Sequence, residues 1–230
     1  MKLLLFDIDG TILLTKGVGR RSVEQALSHL CQRSISTKHV SFSGKTDPQI
    51  MQDVLLRNGL PASDMATLLP RALKVYAETA RRTITPRAMH VLPGVRDLIA
   101  RLAGDNDVQL GLLTGNLEET AYLKLEAAGL AGYFPFGAFG SDHADREALP
   151  PVAVRRARAH TGRTFDGKDV VIIGDSENDI LCGRGIGAFA VAVCTGFQSR
   201  ADLEPHGPDL LLDDLRNHDL FVRRVVRPAA

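Results

Sequence analysis

Apolar residues along the chain follow two rhythms, and the switching between them lays out the fold. Short, largely apolar runs of strand length occur at 3–6, 108–113, 169–173, 189–193 and 209–212, with a further short strand expected at 134–139. Between them the apolar positions recur every three or four residues, the period of one helix face. Strands alternating with helices predict an α/β fold built on a doubly wound parallel sheet.

The alternation is interrupted once. After Thr11 no strand-like run returns until Val108, so a block is inserted between the first strand and the second. Its pattern is helical. From Arg21, the residues Val23, Ala26, Leu27, Leu30 and Cys31 fall on one face. Asp47 and Pro48 offer an N-cap followed by proline at the first helical position, Ile50, Met51, Val54 and Leu55 continue the stripe, and Gly59 ends it. A third helix is expected over 63–82, with Met65, Leu68, Leu69, Leu73 and Tyr76 inward and Pro70 breaking or kinking it. Residues 16–88 thus read as a small α-helical domain over the strand ends, and residues 1–15 with 89–230 as the α/β core. In the core, Pro93-Gly94-Val95 opens a helix carrying Leu98, Ile99 and Leu102, and another runs over 117–128 to Gly129. A third starts at Pro150 or Pro151, and a last one, 215–226, carries a basic face before a fraying Pro228-Ala229-Ala230.

Charge narrows the function classes. With 28 basic against 27 acidic residues, nothing favours a nucleic-acid or anionic-membrane partner. No run approaches the roughly 18 apolar residues of a membrane span, and the apolar run at 3–6 is too short for a signal peptide. Cys31, Cys182 and Cys194 show no zinc or redox spacing. Core-facing free thiols in a reducing cytoplasm are expected.

Candidate chemistry sits where strands stop. The first run ends in Asp7-Ile8-Asp9-Gly10-Thr11, so a buried strand delivers two carboxylates to its carboxyl end, the side on which open α/β sheets place their ligand crevices. Two carboxylates about 4 Å apart repel by roughly 4 kcal/mol at an effective dielectric near 20. One must stay protonated, or a cation must sit between them. At the end of 108–113, the Thr114 hydroxyl and the N–H groups of Gly115 and Asn116 stand where a helix begins and can cradle a phosphate, unless Thr114 is a plain cap. The run at 169–173 leads into Gly174-Asp175-Ser176-Glu177-Asn178-Asp179, which taken alone reads better as a capped helix start and beside Asp7 and Asp9 does not.

Together these segments resemble the haloacid dehalogenase (HAD) superfamily. Phe6-Asp7-Ile8-Asp9-Gly10-Thr11 is similar to its first motif, Leu112-Leu113-Thr114-Gly115-Asn116 to its second, and Ile173-Gly174-Asp175 through Asp179 to its fourth. The resemblance implies an HAD-like Rossmannoid core with a C1-type helical cap, and Pro93-Gly94-Val95 points to the phosphoglycolate phosphatase-like branch. It implies that Asp7 attacks phosphorus to form an aspartyl phosphate, with Asp9 as general acid and then base. Asp7, Asp175 and the backbone carbonyl of Asp9 would be metal ligands, with Asp179 and Asn178 supporting. Four acids around a phosphoryl group call for a divalent cation, and magnesium, with its oxygen ligands, fits.

The chain departs from the family at the third motif, where a basic residue precedes a proline. Ala148-Leu149-Pro150-Pro151 has none, so Arg146 is the candidate for neutralising nucleophile and phosphate. Lys124 is a second candidate, expected to be solvated mid-helix. In the helical block, the resemblance has Lys45 and Thr46 touching the leaving group, against a plain solvated helix start.

The implied activity is a magnesium-dependent phosphatase acting on a small phosphorylated metabolite, as a monomer or dimer. A β-phosphoglucomutase-like phosphotransferase, a 2-haloacid dehalogenase and a non-catalytic phosphate-binding module stay as alternatives.

Overall fold

The computed structural model describes residues 1–228, so the fraying expected at Ala229 and Ala230 lies outside the described residues. In chain order the elements are β1 (Lys2–Phe6), β2 (Leu13–Leu14), α1 (Val18–Cys31), α2 (Asp47–Arg57), α3 (Met65–Thr83), β3 (His90–Val91), α4 (Val95–Ala103), β4 (Val108–Leu113), α5 (Glu118–Ala128), β5 (Gly137–Ala138), α6 (Leu149–Thr161), β6 (Val170–Gly174), α7 (Glu177–Cys182), β7 (Phe189–Val193), α8 (Arg200–Leu203), β8 (Leu210–Leu212) and α9 (His218–Phe221).

Six strands form a parallel sheet in the order β5-β4-β1-β6-β7-β8. The chain starts in the middle, winds outward to β5, then crosses back to β6 and winds to β8. The strand order therefore reverses beside β1, the topology that opens a crevice at strand carboxyl ends. Alternation along β1 feeds both layers. Leu4 and Phe6 pack with α4 residues Leu98, Ile99 and Leu102, while Leu3 and Leu5 pack with α6 residues Leu149, Ala153 and Ala157. Each of the leucine, isoleucine and phenylalanine side chains among these contributes about 1.5–3 kcal/mol by leaving water, the alanines less.

The inserted block is tethered by a ribbon that the apolar rhythm hides. β2 and β3 pair antiparallel, Leu13 with Val91 and Leu14 with His90, each too short to register as a run. Between them α1, α2 and α3 bury a cluster of their own around Val23, Leu27, Met51, Val54, Leu55 and Tyr76. Of the two outcomes expected at Pro70, the break does not occur: α3 runs as one helix from Met65 to Thr83. One N–H bond is lost there, and packing by Ala72, Tyr76 and Ala80 outweighs it.

Three boundaries also move. The cap of α2 is Thr46, not Asp47. Its hydroxyl accepts from Gln49 N at 3.4 Å while Gln49 Oε1 accepts from Thr46 N at 3.2 Å, a reciprocal capping box. The strand expected over 134–139 contracts to β5, and the helix expected over 215–226 is the single turn α9 followed by a π-type turn at Val222–Val226. Arg223 and Arg224 are exposed on that turn, while Val222, Val225 and Val226 are buried. The cysteines are free thiols, and only Cys182 is fully core-facing; Cys31 and Cys194 are half-buried. Among the described residues no helix is long and apolar enough to cross a membrane.

Thr46 also donates its hydroxyl to the Ala144 carbonyl at 2.6 Å, joining the insertion to the core. Thr46→Ala removes the cap and strands that carbonyl, so unfolding free energy should fall by about 2 kcal/mol in urea titrations. An unchanged midpoint would contradict the double role.

Candidate active site

The site is built where β1, β4 and β6 end. Asp7 follows β1 directly, held by its N–H donating to the Ile173 carbonyl at 2.9 Å. Its carboxylate is buried, and Arg146 Nη2 approaches Asp7 Oδ1 to 3.3 Å. The same guanidinium nitrogen hydrogen-bonds Asp179 Oδ1. Arg146 is brought there by the short turn before α6 and is itself buried. Asp179 is fixed from its other side, since Oδ2 accepts from Ser176 N at 3.0 Å and Ser176 Oγ at 2.6 Å in the box that caps α7. Asp175 ends the β6 segment and accepts from Thr11 Oγ1 at 3.4 Å.

Carboxylate oxygens of Asp7, Asp175 and Asp179 lie within 4.8 Å of one another. Burial, opposed by Arg146 and reinforced by the charges of Asp179 and Asp9, pushes the Asp7 carboxyl up to about 7. Burial, then repulsion from Asp179 and Asp7, drives Asp175 well above the carboxylate range. Burial disfavours the Arg146 charge too, but Asp179 and Asp7 more than reverse that, and it stays protonated. Three acids against this guanidinium leave a deficit of positive charge that a bound cation would fill.

The donor set fits such a cation. It is all oxygen, as a hard divalent ion requires, and the approach to Asp175 is kept bare: a Cβ on Gly10 or Gly196 would stand 2.4 or 1.6 Å from Asp175 Oδ2. Asp179, read from sequence as a supporting residue, sits inside this cluster, although Arg146 and Ser176 already engage its oxygens.

On the β4 side, Asn116 Nδ2 donates to Asp9 Oδ2 at 2.8 Å and to Thr114 Oγ1 at 2.7 Å. Lys124 is the residue most misjudged from sequence. Expected in solvent, it is buried, with Nζ 2.5 Å from both Asp9 Oδ2 and Asn116 Oδ1. The signal was present: position 124 falls on the same face of α5 as the buried Ala121, Leu125 and Ala128.

Asp47, read only as a cap, is a second residue that sequence reasoning missed. Freed by Thr46 from capping α2, its Oδ2 accepts from Leu117 N at 2.9 Å and Thr120 Oγ1 at 3.4 Å, and its own N–H donates to the Gly115 carbonyl at 2.7 Å. The start of α5 is therefore partly occupied by a carboxylate of the insertion, leaving for an anion the N–H of Gly115 and that of Asn116, which is shared with Thr114 Oγ1 at 3.4 Å. Burial raises the Asp47 carboxyl to about 6, with Lys124 and the Leu117 N–H pulling it back down.

Three expected site residues are deployed differently. Thr46 does not line the chamber between the insertion and the strand ends, because its hydroxyl is given to Ala144. Lys45 lines it, but its Nζ is paired with Asp53 at 2.6 Å. Asn178 supports the insertion rather than Asp179, donating from Nδ2 to the Gly44 carbonyl at 3.0 Å.

The family model described as haloacid dehalogenase-like hydrolase matches residues 4–193. The chain belongs to the haloacid dehalogenase-like hydrolase family. It is 23% identical to the phosphoglycolate phosphatase of Pseudomonas putida over 94% of this chain and 77% of that one. It is 29% identical to the phosphoglycolate phosphatase of Synechococcus elongatus over 93% of each. A predicted phosphoglycolate phosphatase of Haemophilus somnus has the same fold at a TM-score of 0.72, with 19% identity over 96% of this chain and 98% of that one. The phosphoglycolate phosphatase-like branch to which Pro93-Gly94-Val95 pointed is thus one that these relatives occupy, and the chain is an HAD-superfamily hydrolase.

The Asp47 carboxyl, raised from 3.8 to about 6, stabilises the docked insertion only while neutral. That stability is full below pH 3.8 and is lost as pH rises through about 6. Asp47→Asn keeps an acceptor for the Leu117 N–H and cannot ionise. Relative to wild type, its unfolding free energy should gain on the order of 3 kcal/mol between about pH 4 and about pH 7. Urea titrations of both proteins across that range check this, and parallel stability curves would contradict it.

Proposed function

We propose that this hydrolase is a magnesium-dependent phosphatase that cleaves the phosphate monoester of a small metabolite through an aspartyl phosphate on Asp7. The observation that carries the reading is Asp7 itself: a buried carboxylate at a strand end, beside Arg146 at 3.3 Å, within a cluster of acids. We further propose residues 1–15 and 89–230 as the α/β core and 16–88 as a C1-type cap, working in the cytoplasm as a monomer or dimer. Free thiols are consistent with that compartment.

In the first half-reaction an Asp7 oxygen bonds to phosphorus as the ester P–O bond breaks, and Asp9 gives its proton to the departing alkoxide. In the second, water attacks phosphorus, Asp9 takes the water's proton, and the P–O bond to Asp7 breaks to release inorganic phosphate. Lys124 and Asn116 both hold Oδ2 of Asp9, which leaves its Oδ1 for the transferred proton. Arg146 stands where it can bridge nucleophile and phosphoryl oxygens. Thr114 and the N–H groups of Gly115 and Asn116 are the remaining phosphoryl contacts. Magnesium, held by Asp7, Asp175 and the Asp9 backbone carbonyl, would supply positive charge against the acids and the phosphoryl group.

Hydrolysis of an aryl phosphate tests this. Wild type should release phosphate only with magnesium and stop with chelator, and Asp7→Asn should lose at least a thousandfold in kcat. Turnover that persists in chelator, or in Asp7→Asn, would overturn the reading.

A further inference from the structure

The chamber between the insertion and the strand ends encloses about 300 Å³, the lower end of the roughly 300–1,000 Å³ that organic ligands occupy. Its two ends differ in chemistry. The floor is the polar cluster around Asp7. Away from it the walls are apolar, formed by Leu14 on β2 and by Val23, Phe42, Ile50 and Tyr76 of the insertion. Phe197 stands at the rim, in the loop that follows Gly196, and at 86% exposure it is the most exposed large apolar side chain among the described residues. A phenyl ring left in water forgoes its transfer free energy, and at this rim a molecule bound in the chamber would let it regain part of it.

Most cations along these walls are already engaged. Arg20 donates to the carbonyls of Thr37 at 2.8 Å and Val40 at 3.1 Å, and its guanidinium lies 4.1 Å over the Phe42 ring. Lys45 is held by Asp53 and Lys124 by Asp9. Lys16 is exposed at the edge. Asp47 places a carboxyl on the inner wall. Apart from Lys16 at the solvent edge, these wall cations are committed elsewhere, so a carboxylate carried on the leaving group would be desolvated near Asp47 and Asp9 with no partner on the inner wall.

Resting on the phosphatase reading, we propose that the organic part of the substrate is uncharged and apolar, a short alkyl chain or a single ring esterified to phosphate, and not a carboxylate-bearing group such as glycolate. Phe197, Val23 and Ile50 are then specificity-determining residues, acting on the leaving group and not on the phosphoryl transfer.

A homologous series separates this from the broader reading. With linear alkyl phosphates from methyl to hexyl, kcat/KM should rise about fourfold per methylene, the equivalent of about 0.8 kcal/mol each, and level off when the chamber is full. Phosphoglycolate should be used at least tenfold less well than ethyl phosphate, and Phe197→Ala should flatten the slope. A flat series, or phosphoglycolate used as well as ethyl phosphate, overturns the proposal. Calorimetric binding of alkylphosphonates of the same lengths, which are not hydrolysed, distinguishes the two failures. Affinity that rises with length while no ester is cleaved refutes the phosphatase reading and upholds the apolar chamber. Affinity independent of length, with esters still cleaved, upholds the phosphatase and refutes the chamber.

Discussion

Three buried carboxylates, those of Asp7, Asp175 and Asp179, crowd around the guanidinium of Arg146, and the surrounding structure is arranged to tolerate the imbalance. In a medium less polarisable than water, like charges at this separation cost several kcal/mol and a lone ion costs more. The fold answers with fixed donors. Ser176 holds Asp179, Thr11 reaches Asp175, and the β1 backbone pins Asp7. What the protein leaves unneutralised is the capacity to take up further positive charge. Such a cluster gives little to stability, and its cost is borne by the two apolar layers that clamp β1.

The insertion is fastened to this arrangement by polar contacts as well as by shape. Thr46 reaches the Ala144 carbonyl, Asp47 engages the start of α5, and Asn178 holds Gly44. Through Lys124 and Asn116, the α5 end that receives Asp47 is also the end that holds Asp9. Docking of the helical block and the setting of Asp9 thus share one buried network, in which a change at one member is felt by the others. The chamber closed in this way combines a charged floor with apolar walls, which separates the part of the site suited to phosphoryl transfer from the part suited to selecting the leaving group.

Much of this was legible in the sequence because it rests on local rules. Strands buried on both faces read as apolar runs, so β4 and β7 were placed to the residue, and the acids at the ends of β1 and β6 stood out as charges where burial stops. What escaped was set by tertiary contact. β2 and β3 are two residues each and exist because the chain leaves and re-enters the core at one point. Pro70 reads as a break or a kink, and the insertion's packing carries α3 through it without a break. Asp47 and Lys124 look like a cap and a solvated helix residue until folding brings them together, although the Thr46–Gln49 box and the buried face of α5 carried the clue. Thr46 and Asn178 were assigned to the site by motif, and the fold uses both to hold the insertion.

Everything proposed about catalysis turns on Asp7 becoming covalently phosphorylated. The most direct measurement is peptide mapping by mass spectrometry after rapid acid quench of an Asp9→Asn variant mixed with magnesium and an aryl phosphate. That variant keeps the nucleophile and lacks the base for the second step. One phosphoryl group, stable in acid and labile in base, is expected on the peptide containing Asp7, and none when Asp7 is also replaced. Phosphate released with no phosphopeptide at any quench time, or a phosphoryl group on a different residue, would contradict it.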